Sequence, residues 1–325
     1  MIYFFEKTSE KDFIYNINYR TLYIEVEIYM STLLINLNKK FFTYYDKYDI
    51  LSIDYFFKES FIMKLKNIFI CILVFTLSII SYAESSIPKV EYKKVEVNSL
   101  EDIKKWKNSD ELYVFTKINI DLSKLSPVQK KNAFVDILLP SIKVVNAEIE
   151  NNRNIVKTLS QKTTLSEEEK EYAENLFKKY RVEYGDWDRL YSRLIIYPTS
   201  LILTQGAIES GWGTSRFFKE GNNLFGMWST NPNEPRIPAK GVRENGFVPH
   251  LKKYDSVKGS VSDFVLNFSR NKAYTNLRKL LRENRPPQIV AEGLINYSEE
   301  KERYVKKVIN TMNYNDFRKY DSFME

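Results

Sequence analysis

The chain has 325 residues with 49 Lys+Arg against 42 Asp+Glu, one His and one Cys, enough for one large domain or two small ones. Hydrophobic residues at 43% and charged residues at 28% exclude wholesale disorder; one Cys excludes a disulfide scaffold or Cys-based zinc site, and one His excludes a poly-His metal centre. The net charge of +7 points to an anionic partner (nucleic acid, membrane or wall polymer) without choosing among them.

Residues 1–62 are rich in Tyr, Phe, Ile and Asn, hold no Gly or Pro, and show no sustained period. Residues 63–83 read MKLKNIFICILVFTLSIISYA: two lysines, an apolar run from Ile68 to Ile80, then the small-x-small pattern Ser81-Tyr82-Ala83. That is a signal peptide cleaved after Ala83, and it makes Met63 the expected start, with residues 1–62 an upstream extension translated in error. A signal anchor is the competing reading, but thirteen apolar residues fall short of the ~20 needed to span a bilayer. Without residues 1–83, which hold nine charges of each sign, 242 residues remain with 40 against 33, still +7. Cys71 goes with the leader. The expected destination is periplasmic or extracellular, with no stable membrane anchor after cleavage.

Residues 84–125 carry a Val/Tyr/Lys alternation from Val90 to Val97 but no motif, and read as an extension or linker. At Ser126-Pro127 an N-cap is followed by Pro at the first helical position. Phe134, Ile137, Leu138, Ile142, Val145 and Ile149 then keep helical spacing. Ser166 to Glu169 is a capping box that opens a second helix with Tyr172, Leu176, Phe177 and Tyr180 on one face.

All ten glycines lie at or after Gly185, and seven fall between Gly206 and Gly246. Unusual backbone geometry is therefore concentrated there. Leu201, Ile202, Leu203, Ala207 and Ile208 make a helix apolar nearly all round, hence buried, ending at Glu209-Ser210-Gly211. Burial and the partial negative charge of a helix C-terminus both favour a protonated carboxyl, as a glycosidase general acid requires. The plain alternative is a buried Glu hydrogen-bonded to its neighbours. Trp212 and Trp228 sit in loops beside this acid, suited to stacking on sugar rings or to core filling.

Four prolines between Ser229 and Pro249 exclude a regular helix there. Asn245-Gly246 between Val242 and Phe247-Val248 is a two-residue hairpin signal, and it presents Glu244 just before the turn. The expected fold is mainly α with a small β-hairpin lobe. His250 on the return strand is given no catalytic role. Helices resume over Val257–Phe268, around Leu277–Leu281, over Ile289–Ile295, and with Tyr304, Val305, Val308 and Ile309 on a last amphipathic helix. By periodicity alone Tyr297 and Tyr304 are both core residues.

The stretch Gln205-Gly-Ala-Ile-Glu-Ser-Gly-Trp-Gly-Thr-Ser215, followed by Asn222-Asn-Leu-Phe-Gly-Met227, resembles the signature of glycoside hydrolase family 73, the bacterial β-N-acetylglucosaminidases. Asn267-Phe268, Ala273 to Arg278 and Gly293 to Ser298 resemble its Bax-type branch. The likeness covers roughly residues 126–312, and residues 126–320 are expected to form a glucosaminidase domain. It implies a lysozyme-like helical domain cleaving the GlcNAc-β-1,4-MurNAc bond of peptidoglycan strands, with no cofactor and no metal. It also implies Glu209 as general acid and Tyr297 as the cleft tyrosine. Trp212, Asn223, Phe225, Trp228 and Tyr254 are the candidate substrate-binding residues. Glu244 is favoured as second acid because a hairpin tip reaches across a cleft; Glu234 is the substitute.

Two other readings stay open: a lytic transglycosylase, which uses one acid and leaves an anhydro product, and a non-catalytic wall-binding module. Nucleic acid is not an expected partner, because the basic residues are dispersed and export is expected. A monomer is expected.

Overall fold

The computed structural model describes residues 87–107, 109–241, 246 and 248–321, with Asn67 and Ile70 ahead of them. The chain divides into two compact units, Met1–Tyr82 and Ala83–Glu325, and nearly all described residues lie in the second. Cys71 and the cleavage pattern at Ser81 to Ala83 fall outside the described residues, as does the whole proposed leader apart from Asn67 and Ile70. Among the described residues no helix is long and apolar enough to cross a membrane.

The unit is mostly helical, built around one long helix. That helix is preceded by a strand, a helix and a strand: β1 (Lys93–Val97), α1 (Leu100–Lys107) and β2 (Tyr113–Ile118), with β1 and β2 paired in parallel. This corrects the reading of residues 84–125 as a linker. Val97, Ile103, Val114, Phe115 and Leu122 are buried, and all but Val114 join the common core. The alternation in Val90 to Val97 was a strand signal, hidden by the charged residues that line its solvent face.

Helix α2 (Pro127–Leu159) is 33 residues long, about 50 Å at 1.5 Å per residue. Its start is as expected: Ser126 accepts from Gln129 N, Gln129 reaches back to Ser126 N, and Pro127 occupies the first turn. It runs through Pro140, a buried proline inside the helix. Helix α3 (Glu167–Tyr180) opens on the Ser166/Glu169 capping box, reinforced by Lys162 at 2.6 Å from Glu169. A short α4 (Trp187–Arg193) leads into α5 (Thr199–Ser210).

Helix α5 is buried from Thr199 to Ala207 and packs on α2. Gly206 marks that crossing: a Cβ there would meet Leu138 Cδ2 at 3.1 Å and Phe134 Cζ at 3.3 Å. A side chain would push the two helices apart. Helix α6 (Arg216–Gly221) follows, then the small lobe, in which β3 (Arg236–Pro238) pairs antiparallel with β4 (His250–Lys252). The paired residues stand further from Asn245-Gly246 than the hairpin reading placed them. The tip itself, residues 242–245 and 247, lies outside the described residues.

The chain closes with α7 (Val257–Arg270), α8 (Thr275–Arg282), the short α9 (Pro287–Val290) and α10 (Glu302–Tyr314), then a 3-10 turn over Phe317–Tyr320. Both α10 and this last turn pack against α5. The helix that carries Glu209 is thus held between α2 and α10.

Candidate active site

Glu209 is the penultimate residue of α5, and the chain leaves it through an unusual turn. Gly211, Trp212 and Gly213 have φ of 59°, 62° and 75°. Three successive left-handed residues reverse the chain at once, which is why glycine flanks the tryptophan. A Cβ on Gly213 would come within 2.8 Å of Leu122 Cδ1. Ser210 locks the turn, donating to Gly206 O at 2.6 Å and accepting from Gly213 N at 2.8 Å. The last carbonyls of the helix are also taken up: Ser210 O by Thr214 N and Ser215 N, and Ala207 O by Trp212 N.

The sequence reading placed Glu209 at a buried helix end. The helix end is buried at Ala207 and again at Ser210, but Ile208 is half-buried and Glu209 itself is exposed, which corrects its placement as a buried acid. Solvent reaches the carboxyl, yet protein surrounds it closely enough that burial is the first cause of a raised pKa. A hydrogen bond from Tyr304 and the charge of Lys307 pull the pKa down, while the charge of Glu300 pushes it up. A carboxyl open on one side and crowded on the others fits the floor of a cleft.

Tyr304, in the first turn of α10, donates its hydroxyl to Glu209 Oε1 at 2.7 Å. Behind it Gln205 Nε2 donates to Tyr304 Oη at 3.3 Å, and Tyr197 donates to Gln205 Oε1 at 2.8 Å. Tyr197, Gln205 and Tyr304 are all buried. Sequence periodicity assigned Tyr304 to the core and said nothing of Gln205. A signal was present, however, since a polar amide one turn before Glu209 in an otherwise apolar helix must find partners.

Tyr297 is half-buried, in the loop between α9 and α10, and its ring stacks on Tyr304 with centroids 5.1 Å apart at 26°. Burial raises its pKa well above the ordinary value, and the charge of Glu209 adds to that. The geometry thus brings Glu209, Tyr297 and Tyr304 together. Glu300 and Lys307 act on the same carboxyl from the approach to α10 and from its exposed side.

The other expected residues divide. Asn223 is buried, and its amide is spent on the lobe: Nδ2 donates to Met227 O and Lys252 O at 3.0 and 2.9 Å, and Oδ1 accepts from Met227 N at 3.0 Å. Phe225 is buried too, stacked on Phe264 with centroids 3.8 Å apart at 8°. Neither side chain is open to a glycan, which corrects their assignment to substrate binding.

Trp212 is half-buried between the edges of Phe134 and Phe317, with Lys131 Nζ 4.9 Å from its ring centroid. Trp228 has 52% of its surface exposed and bridges to Leu251 at the lobe. Of the expected aromatic residues it offers the most open ring. Tyr254 donates to Asp263 Oδ2 at 2.7 Å, and Lys252 Nζ lies 2.8 Å from the same oxygen. Burial first, then Asp263, pushes the Tyr254 hydroxyl far up; the charge of Glu234, half-buried ahead of β3, adds to this. His250 keeps Nδ1 at 2.9 Å from Val248 O. Glu244 lies outside the described residues.

One cavity, of about 280 Å³, is lined by Lys107, Tyr113, Asp136, Pro140, Thr199 and Tyr320 among others. It touches the first residue of α5, ten positions from Glu209 and roughly 15 Å along the helix. It does not belong to the acid's surroundings. Among the described residues no group of three or more His, Cys, Asp or Glu could hold a metal ion.

Residues 185–317, from before α4 through α10, match the family model Glucosaminidase, described as mannosyl-glycoprotein endo-beta-N-acetylglucosaminidase. The match over this segment agrees with the expected resemblance to glycoside hydrolase family 73. The chain is similar to Protein bax of Escherichia coli K12, 34% identical over 160 residues, 47% of this chain and 56% of that protein. It thus spans little more than half of that curated relative's length. Among solved structures it is similar to the catalytic domain of the autolysin Auto from Listeria monocytogenes, at 19% identity and a TM-score of 0.33 over 53% of this chain and 97% of that one. It is also similar to the glycoside hydrolase domain of FlgJ from Salmonella typhimurium, at 23% identity and a TM-score of 0.30 over 44% and 96%. The two helices α2 and α3 precede the matched glucosaminidase segment, and α2 packs directly against its acid-bearing helix.

Proposed function

We propose that this protein is an exported peptidoglycan hydrolase, an endo-β-N-acetylglucosaminidase that cleaves GlcNAc-β-1,4-MurNAc bonds with Glu209 as general acid. The observation that carries the reading is the Glu209 carboxyl itself, held by Tyr304, open to solvent and with burial raising its pKa, inside a glucosaminidase-family segment. The solved relatives include proteins described as an autolysin and as a peptidoglycan hydrolase, which supports a wall glycan as substrate. The leader-like residues 63–83 support export.

In the proposed reaction the protonated Glu209 gives its proton to the glycosidic oxygen as the C–O bond breaks, and water completes the hydrolysis at the anomeric carbon. Tyr297 shapes the reacting centre, and Trp228 offers an open ring to a sugar face. Glu244 is the proposed base or nucleophile on the far side, with Glu234 as its substitute.

Glu209→Gln tests the assignment: the variant should give no clearing in a peptidoglycan zymogram while its circular dichroism matches the native chain. Unchanged clearing would refute the acid. Mass analysis of released muropeptides separates hydrolysis from transglycosylation. New reducing N-acetylglucosamine ends support the proposal; 1,6-anhydro ends alone overturn it.

A further inference from the structure

The chain Tyr197–Gln205–Tyr304–Glu209 has a direction, and the direction has a chemical consequence. Each tyrosine hydroxyl both donates and accepts, so a Tyr–Gln–Tyr chain allows two arrangements. In the one present, Tyr197 donates to Gln205 Oε1, so the amide's NH2 side faces Tyr304. Tyr304 Oη then accepts that N–H, and its own hydrogen goes to Glu209 Oε1. With the amide reversed, Gln205 Oε1 would draw the Tyr304 proton away, and Tyr304 would instead accept the acid's proton. Gln205 and Tyr197 are 0% exposed, so no water substitutes for a lost partner.

We propose that Gln205 is a positioning residue that commits the Tyr304 proton to Oε1 of Glu209 and so leaves Oε2 as the oxygen that delivers the acid proton. The proposal rests on the reading of Glu209 as general acid and deepens it. An oxygen that already accepts a hydrogen bond is poorly placed to carry a hydrogen of its own toward the same donor, so the proton of the acid form resides on Oε2. As that proton passes to the leaving glycosidic oxygen, charge develops on the carboxylate. A donor is already aimed at it, with no rearrangement needed at the moment of reaction. The other groups acting on this carboxyl are Lys307, Glu300 and Tyr297, and none of them contacts Gln205 in the hydrogen-bonded chain.

The test compares Gln205→Met, Tyr304→Phe and the double variant, in the whole chain. The Glu209 carboxyl is titrated by NMR with carbon-13-labelled Glu, and kcat against pH is measured on purified glycan strands. Either single change should move the titration midpoint, and the high-pH limb of kcat, upward by about one pH unit. The double variant should move no further than the larger single shift. An unmoved midpoint in Gln205→Met, or shifts that add, would overturn the role of Gln205. If Gln205→Met does not fold, Tyr197→Phe keeps the amide but removes the hydroxyl that orients it. It should shift the midpoint in the same direction, and no shift overturns the proposal. The titration needs no substrate, so a native chain that cleaves no glycan sinks the reading of Glu209, while an unmoved midpoint sinks the role of Gln205.

Discussion

Tyr304 meets Glu209 across 95 positions of sequence, its hydroxyl 2.7 Å from Oε1. The pair joins the end of α5 to the start of α10. It ties an acid that the sequence marks plainly to a tyrosine that it does not.

The raised pKa of Glu209 makes the acid a burden on the fold above a certain pH. The unfolded chain titrates near the ordinary value of 4.5, and the folded site above it. Below 4.5 the carboxyl is protonated in both states and costs nothing. As pH rises through the folded value, stability is lost. Glu209→Gln should therefore melt above the native chain at pH 7–8, by a degree or so, and together with it near pH 3.5. Calorimetry across that range checks both ends, and a constant difference at all pH values would contradict the assignment.

Asn223 supports the lobe rather than a sugar. Asn223→Ala removes three hydrogen bonds and leaves the Met227 N–H and two carbonyls to find other partners. The cost should be about 2–3 kcal/mol, read from urea unfolding. Hydrogen exchange should speed up first at residues 227 and 252.

Gly293 sits against the backbone of α8, and a Cβ there would stand 2.6 Å from Leu277 Cα. Backbone cannot swing aside as a side chain end does. Gly293→Ala should cost at least about 2 kcal/mol and displace the loop that carries Tyr297. Chemical denaturation with near-ultraviolet circular dichroism of the tyrosines reads both effects.

Asp321 accepts from Ser200 N at 2.8 Å, capping α5 from the far end of the chain. Burial is the main cause of its raised pKa, so its charge is tolerated rather than sought. Asp321→Asn keeps an acceptor and should leave neutral-pH stability unchanged or slightly higher. Asp321→Ala should lose about 1 kcal/mol, as for a lost helix cap. Equal urea midpoints for the two variants would contradict the capping role.

If the +7 charge attracts a wall polymer, binding to sacculi should weaken steadily between about 0.05 and 0.5 M salt, as the screening length shrinks to a few ångströms. Sedimentation of the inactive Glu209→Gln chain with sacculi measures it. Binding that ignores salt would leave the charge without that role.

The helical frame was legible because its signals are local: Ser126-Pro127, the Ser166/Glu169 box and the apolar faces of α2 and α7 announce themselves within a few residues. Glu209 was legible for a related reason, as the lone ionisable group of an apolar helix. Phe225 and Asn223 misled because a motif residue near an acid invites a substrate role, whereas packing on Phe264 and tethering of the lobe need the same residue types. The β1–α1–β2 segment was missed because five-residue strands with charged solvent faces look like linker. Tyr304 was missed because periodicity reports which face is buried and not what lies opposite it.

The separation between Glu209 and Tyr304 bears on timing as well as chemistry. A contact of such long range forms only after the intervening chain has collapsed, and α10 is synthesised after α5. Shortened chains that stop before Glu302 carry the acid but not the hydroxyl that orients it. A nascent chain in which α10 has not yet been made therefore holds Glu209 without its hydrogen-bond donor.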